Sequence, residues 1–204
     1  MNSIQRSVDS LQKIYAVIIA LAISQSITKT FSIEDGKIIS EDFVRSLPTL
    51  VSFFAFVVPF YHGMNRHLDN CYVQKVGKMI QGALLFDFFI FCVESSLLFA
   101  FTQTLPQELK GFVLIALMLI VDMFWGFISH WIHYKEYTPS IRRWSVINFI
   151  TLVIGIVIYS INILDNKPLI LMLLSLLRLM ADYYFCWRFY FPIEVEEAKS
   201  QVNS

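Results

Sequence analysis

Charge is scarce in this chain. Of 204 residues 16% are Asp, Glu, Lys or Arg, against roughly 25% in average soluble domains. The 16 basic and 16 acidic residues cancel, so no global field recruits nucleic acid and any such site is local. Cysteine is rare as well. Cys71, Cys92 and Cys186 make neither an even disulfide set nor a metal-ligand spacing, and Cys92 and Cys186 sit in apolar runs where a thiol behaves as a small hydrophobe. A serine-nucleophile motif, a glycine-rich phosphate loop and a Cys-x-x-Cys pair are all missing. So are internal repeats and low-complexity tracts. No cofactor is implied.

What is abundant is apolar: 56% of residues, with 19 Phe and nine Tyr, and a mean hydropathy of +0.60. Uncharged or nearly uncharged runs recur at 14–28, 46–65, 79–104, 111–131, 144–164 and 168–191. A spanning helix needs about 20 residues. The fold class is therefore all-α: a polytopic integral membrane protein of about six transmembrane helices. Residues 1–192 form one membrane domain and 193–204 a polar tail. The first run carries Ala20-Leu21-Ala22, which resembles a signal-peptide cleavage site. Lys13 and Lys29 can snorkel from its ends, and we read it as a retained first span.

The punctuation fits this count. Ser32 to Lys37 contains a Glu-Asp-Gly turn and reads as a small hairpin. Ser40-Glu41-Asp42 offers a cap and first-turn acids to the second helix. Pro106 and Pro139 sit as first-turn prolines, Asp165 to Pro168 reads as a tight turn, and Pro192 is expected to end the last helix. With six spans, ten basic residues fall on one side and five on the other. The positive-inside rule then predicts that both termini are cytoplasmic. Trp131, Trp144 and Trp187 fall at that same interface, as an aromatic belt does.

Two groups of residues carry chemistry. Asp87, Asp122, Arg178 and Asp182 land near mid-membrane, with Glu94 on the Asp87 face seven residues on. A charge at a helix centre costs about 2.5–3.5 kcal/mol on insertion scales, so none should face lipid. Arg178 and Asp182 are spaced to pair within one helix, base before acid, the weaker order. That leaves Arg178 available to Asp122 or Asp87. Asp122, Ser129 and His133 share a helix line. These residues read either as structural ion pairs or as a polar conduction path or cavity. Alternatives are a membrane-embedded enzyme using Asp87, Asp122, His130, His133 and Asp182, and a proton-coupled transporter using Asp87 and Asp122, which lacks the expected repeats. His130 and His133 lack the Glu and spacing of a metalloprotease helix, so no metal site is assigned.

The second group starts in Pro59 to Asp69, where His62, Arg66 and Asp69 fall on one side of a helix. Near it Arg66, His67, Lys75, Lys78, Lys135, Arg142, Arg143 and Arg188 alternate with Tyr61, Tyr72, Tyr134, Tyr137, Trp144, Tyr184 and Trp187. Arginine forks and aromatic faces suit phosphates and exposed bases. Ordinary positive-inside charge with headgroup anchoring produces the same pattern. Tyr61, His62, Arg66, His67, Arg142, Arg143 and Arg188 are the candidate ligand-binding residues.

Phe60-Tyr61-His62-Gly63, followed by Arg66 and Asp69 in a small polytopic chain, resembles the membrane effectors of bacterial anti-phage defence, the Hailong type among them. The likeness covers one short motif, size and hydropathy. It implies a homo-oligomeric ion-conducting pore in the bacterial inner membrane. It also implies a partner nucleotidyltransferase whose DNA oligomer holds the pore shut. Tyr61, His62, Gly63 and Arg66 would then belong to the ligand-facing mouth. No pore-lining motif carries over residue by residue.

Overall fold

The structure is a computed structural model in which residues 3–31, 33–34, 37–38, 40–74, 82–104, 108–133, 139–161 and 166–191 are described. It is all-α apart from one small hairpin. The helices are α1 (Ser3–Thr30), α2 (Ser40–Leu68), α3 (Ala83–Gln103), α4 (Glu108–His133), α5 (Pro139–Ser160), α6 (Lys167–Phe185) and the single turn α7 (Trp187–Tyr190). Strands β1 (Ile33–Glu34) and β2 (Lys37–Ile38) pair antiparallel in the register Ile33 to Ile38 and Glu34 to Lys37. Six helices are long and apolar enough to cross a membrane. The fold is that of a polytopic membrane protein.

Several boundaries differ from those read off the chain. α1 is a continuous helix of 28 residues, far longer than its uncharged run, because Asp9 and Lys13 pair at 2.7 Å along its exposed face and both are tolerated there. The last span ends at Phe185, not at Pro192: Cys186 breaks it and α7 follows. Asn166 stands at the N-cap position of α6 without a side-chain capping bond, Pro168 lies in its first turn, and Pro139 opens α5. Pro106 and the 193–204 tail lie outside the described residues. α2 continues past Leu68 as a wider π-helical segment, Asp69–Gln74.

The helices close a ring. α1 neighbours α2, α2 packs on α6, α6 on α5, α5 on α4, α4 on α3, and α3 returns to α1. Every helix can therefore turn one face inward and another to lipid. Outward faces carry Leu85, Phe127 and Trp131, while the inward faces hold Tyr15, Phe53, Phe91, Leu98 and Leu119. Glycine sets one close approach: a Cβ at Gly155 of α5 would lie 2.9 Å from the Phe112 ring of α4, so only a small residue admits that ring. Several membrane-depth hydroxyls return to their own helix backbone, as Ser52 Oγ does to the Pro48 carbonyl at 2.9 Å and Ser175 Oγ to the Leu171 carbonyl at 2.8 Å, whereas Ser95 Oγ and Ser129 Oγ have no partner among the described residues. Without water, a return to the backbone is the cheapest way to satisfy a hydroxyl.

Two cavities, each with about 50 Å³ of water-accessible space, stack inside the ring. At that size each can hold about three to four water molecules. One is lined by Pro59, Gly63, Met64 and His67 of α2 with Phe91, Glu94, Asp122, Trp125, Trp144, Arg178 and Tyr190. The other is lined by Thr49, Ser52 and Phe56 with Phe101, Phe112, Leu119, Thr151, Gly155 and Ser175. The first lies toward the His62 end of the bundle and the second toward the hairpin end.

Candidate functional site

Three polar clusters occupy the first cavity and its mouth. In the first, Asp87 of α3 is fully buried and accepts hydrogen bonds from His67 Nε2 at 2.8 Å, Tyr72 Oη at 2.7 Å and Trp125 Nε1 at 2.9 Å. A carboxylate can be held in the interior only when its lone pairs are satisfied in this way. His67 thus turns its Nε2 to Asp87, and its Nδ1 lies 3.7 Å from the Cys71 sulfur. Four spans or their extensions meet here: α2, its π-helical continuation, α3 and α4. His67 was expected at the ligand-facing surface; it is instead 1% exposed. The physical reason is a helical one. Positions 60, 64, 67 and 71 follow one inward stripe, and His67 lies on it with Phe60, Met64 and Cys71, all buried.

The second cluster crosses the ring. Arg178 Nε of α6 donates to Asn148 Oδ1 of α5 at 2.9 Å, and Asn148 Nδ2 donates to Asp122 Oδ2 of α4 at 2.7 Å. Arg178 thus reaches Asp122 through an amide and does not meet Asp87, which the first cluster has taken. Its Nη2 lies 3.9 Å from Asp182 Oδ2, a carboxylate oxygen that also accepts from Tyr190 Oη at 3.0 Å. The guanidinium stacks 5.0 Å over the Phe56 ring, a cation–π contact that substitutes for missing solvent. Glu94 of α3 is fully buried beside Asp122. Neither of its carboxyl oxygens has a hydrogen-bond partner among the described residues, and the same holds for Arg178 Nη1 and Asp182 Oδ1. Asp87 and Glu94, seven residues apart on one face, therefore serve different clusters.

At the mouth, His62 stacks among Tyr183, Tyr190 and Phe191, with ring centroids 5.9, 4.9 and 5.3 Å away, and its Nδ1 lies 3.2 Å from Tyr183 Oη. Arg66 Nε donates to the Phe189 carbonyl at 3.3 Å and Arg143 Nη1 to the Phe185 carbonyl at 3.2 Å. Both cations sit on orphan carbonyls at the ends of α6 and α7, where the helix dipole favours them. Arg142 and Arg188 are exposed. Tyr61 is turned a helical step away from His62 and meets Tyr15 of α1 edge-on at 5.9 Å. Asp69 is not with His62 and Arg66. It joins the α1 side, where Gln12 Nε2 reaches its Oδ1 at 3.4 Å, beside the 2.8 Å bond from Tyr15 Oη to Asn65. The helix widens at Asp69, and the acid follows Asn65 around. Burial and the neighbouring Asp182 push the Cys186 thiol up to about 12, and burial with Asp182 also raises the Tyr190 phenol.

Of the expected interior residues, Asp87, Glu94, Asp122, Arg178 and Asp182 all line or border one cavity. His130 is not among the residues that line this cavity, and its ring centroid lies 6.4 Å from that of Trp131. The His133 side chain lies outside the described residues, so its alignment with Asp122 and Ser129 does too. No group of three or more His, Cys, Asp or Glu residues forms a metal cage among the described residues. Sequence reasoning missed Trp125, Asn148 and Tyr190, whose polar tips complete the clusters, and set Tyr72 on the ligand-facing surface although it is buried on Asp87. The one available signal was Asn148, an amide in the middle of an apolar run.

No family model, curated protein or solved structure matches this chain. The likeness to defence effectors therefore rests on its motif alone.

Proposed function

We propose that the protein is a homo-oligomeric, ion-conducting membrane protein of the bacterial inner membrane, with both termini cytoplasmic, gated at its His62 end by an anionic ligand. In this reading it acts as an anti-phage effector, and the ligand is a nucleotide or a single-stranded oligonucleotide from a partner nucleotidyltransferase. The observation that supports conduction is that the first of two water-sized cavities stacked inside the ring is lined by the charged groups Glu94, Asp122 and Arg178. A protein that needed only ion pairs for register would have buried these groups with their polar atoms matched. Ligand gating is supported more locally. Arg142 and Arg188 are exposed, Trp187 packs against Phe191 in the aromatic group around His62, and Arg66 and Arg143 bind carbonyls at the ends of α7 and α6. A phosphate drawing Arg143 off the Phe185 carbonyl would loosen the helix that carries Arg178.

The test is ion flux in vesicles containing purified protein, with and without short oligonucleotides. Flux that responds to oligonucleotide, with a response that weakens as salt rises, is the expected result, at about 0.7 log units per log salt for each phosphate contact. Vesicles that stay tight under every condition would sink the reading, and the basic mouth would revert to a headgroup anchor.

A second reading has one specific observation behind it. Cys71, His67 and Asp87 stand in the order nucleophile, base and orienting acid, as in a membrane-embedded acyl-transfer enzyme. Maleimide labelling that is faster at Cys71 than at Cys92, and slowed by Asp87→Asn, would favour it. Equal labelling would remove it.

A further inference from the structure

We propose that Glu94 and Asp122 hold one exchangeable proton between their carboxyl groups, in the wall of the first cavity. The inference deepens the conduction reading by naming a cation the charged layer takes up; it rests on that reading only for its role in transport.

Glu94 is fully buried, faces the first cavity and abuts Asp122. Both side chains, if ionised, offer only lone pairs, so their contact cannot be a hydrogen bond. This is why neither Glu94 oxygen finds a partner among the described residues. A single proton converts the contact into an O–H···O⁻ bond, the short, strong kind. The surrounding charges agree. α6 contributes Arg178 and Asp182, which face each other; α7 contributes Tyr190, already spent on Asp182; α2 contributes His67, held by Asp87; α5 contributes only the amide of Asn148. One guanidinium thus stands against three carboxyl groups. A second unbalanced charge in a hydrocarbon-depth interior is far costlier than a proton. No third acid, His or Cys joins the pair as a metal cage among the described residues, whereas a proton needs only two oxygens. The proton enters from water in the first cavity and leaves to water again, with no other bond changed.

The experiment uses intact protein in detergent and a hydrophobic carbodiimide, which reacts with protonated carboxyl groups in apolar surroundings. Mass spectrometry should find the adduct on Glu94. Asp122→Asn should lower it at least tenfold although Glu94 is still present, because the new amide donates to Glu94 and replaces the shared proton. Undiminished labelling in folded Asp122→Asn would overturn the proposal. Should that variant fail to fold, infrared difference spectra of wild type against the near-isosteric Glu94→Gln decide instead. A protonated-carboxyl band that shifts in D₂O and vanishes in Glu94→Gln is expected; a band absent from wild type overturns the idea. Neither readout involves flux, so the proton site and the conduction reading can fail separately.

Discussion

The Asp87 and Glu94 clusters share a helix and a cavity yet are built on opposite terms. Asp87 sits among three donors from three different segments, His67, Tyr72 and Trp125. Glu94 sits against another acid, and both of its oxygens lack partners among the described residues. Equal burial therefore says nothing about equal role. A carboxylate held by three donors is a clamp: it ties α2, α3 and α4 together. An under-satisfied one carries a standing penalty, and a fold keeps such a penalty where the empty valence is used.

The largest effect expected is at Asp87. Asp87→Ala leaves the His67, Tyr72 and Trp125 donors without an acceptor, each worth about 1–3 kcal/mol when stranded in the interior. Thermal unfolding in detergent should show near-complete loss of folded protein. A wild-type melting profile would break the comparison at its clamp end. Arg178→Ala comes next, at about 3–5 kcal/mol, because it leaves Asp182 and Asp122 without their cation. Arg178→Lys should recover part of that, since a lysine supplies the charge without the planar fork that reaches Asn148 and Asp182 together. Full recovery by lysine would show that charge alone matters in this layer.

Glu94→Leu sharpens the contrast most directly. This change removes one hydrogen bond, the proton-bearing one proposed to Asp122, together with the burial penalty of a carboxyl, so its cost should stay at about 1–2 kcal/mol, well below that at Asp87. The same substitution at Asp87 should abolish folding, and flux should be lost in Glu94→Leu despite its small cost. A Glu94→Leu variant as unstable as Asp87→Ala would mean that Glu94 is a structural partner after all. The smallest effect concerns Cys186, outside the spans. Its thiol is pushed up to about 12 by burial and by Asp182, and the thiolate is the reactive form. Alkylation of Cys186 near pH 8 should therefore be slow, rising tenfold per pH unit toward that value. Asp182→Asn should speed it at fixed pH by lowering the thiol pKa.

Much of this protein was legible without coordinates. Apolar runs of spanning length, with Pro139 opening α5 and Pro168 in the first turn of α6, determine six membrane helices, because in lipid a backbone can satisfy itself only by coiling. The insertion cost of a charge likewise determines that Asp87, Glu94, Asp122, Arg178 and Asp182 turn inward. What the sequence could not determine is which of them meet. That depends on the order 1-2-6-5-4-3 around the ring, which sets α6 against α2 and α5 and so gives Arg178 to Asn148 and Phe56 rather than to Asp87. It also depends on an inward stripe that pulls His67 off the surface it was expected to share with Arg66. Helix identity follows from local hydrogen bonding and solvent, which each segment carries in its own residues. Pairing follows from the relative rotation and neighbour order of whole helices, and only the packed bundle fixes those.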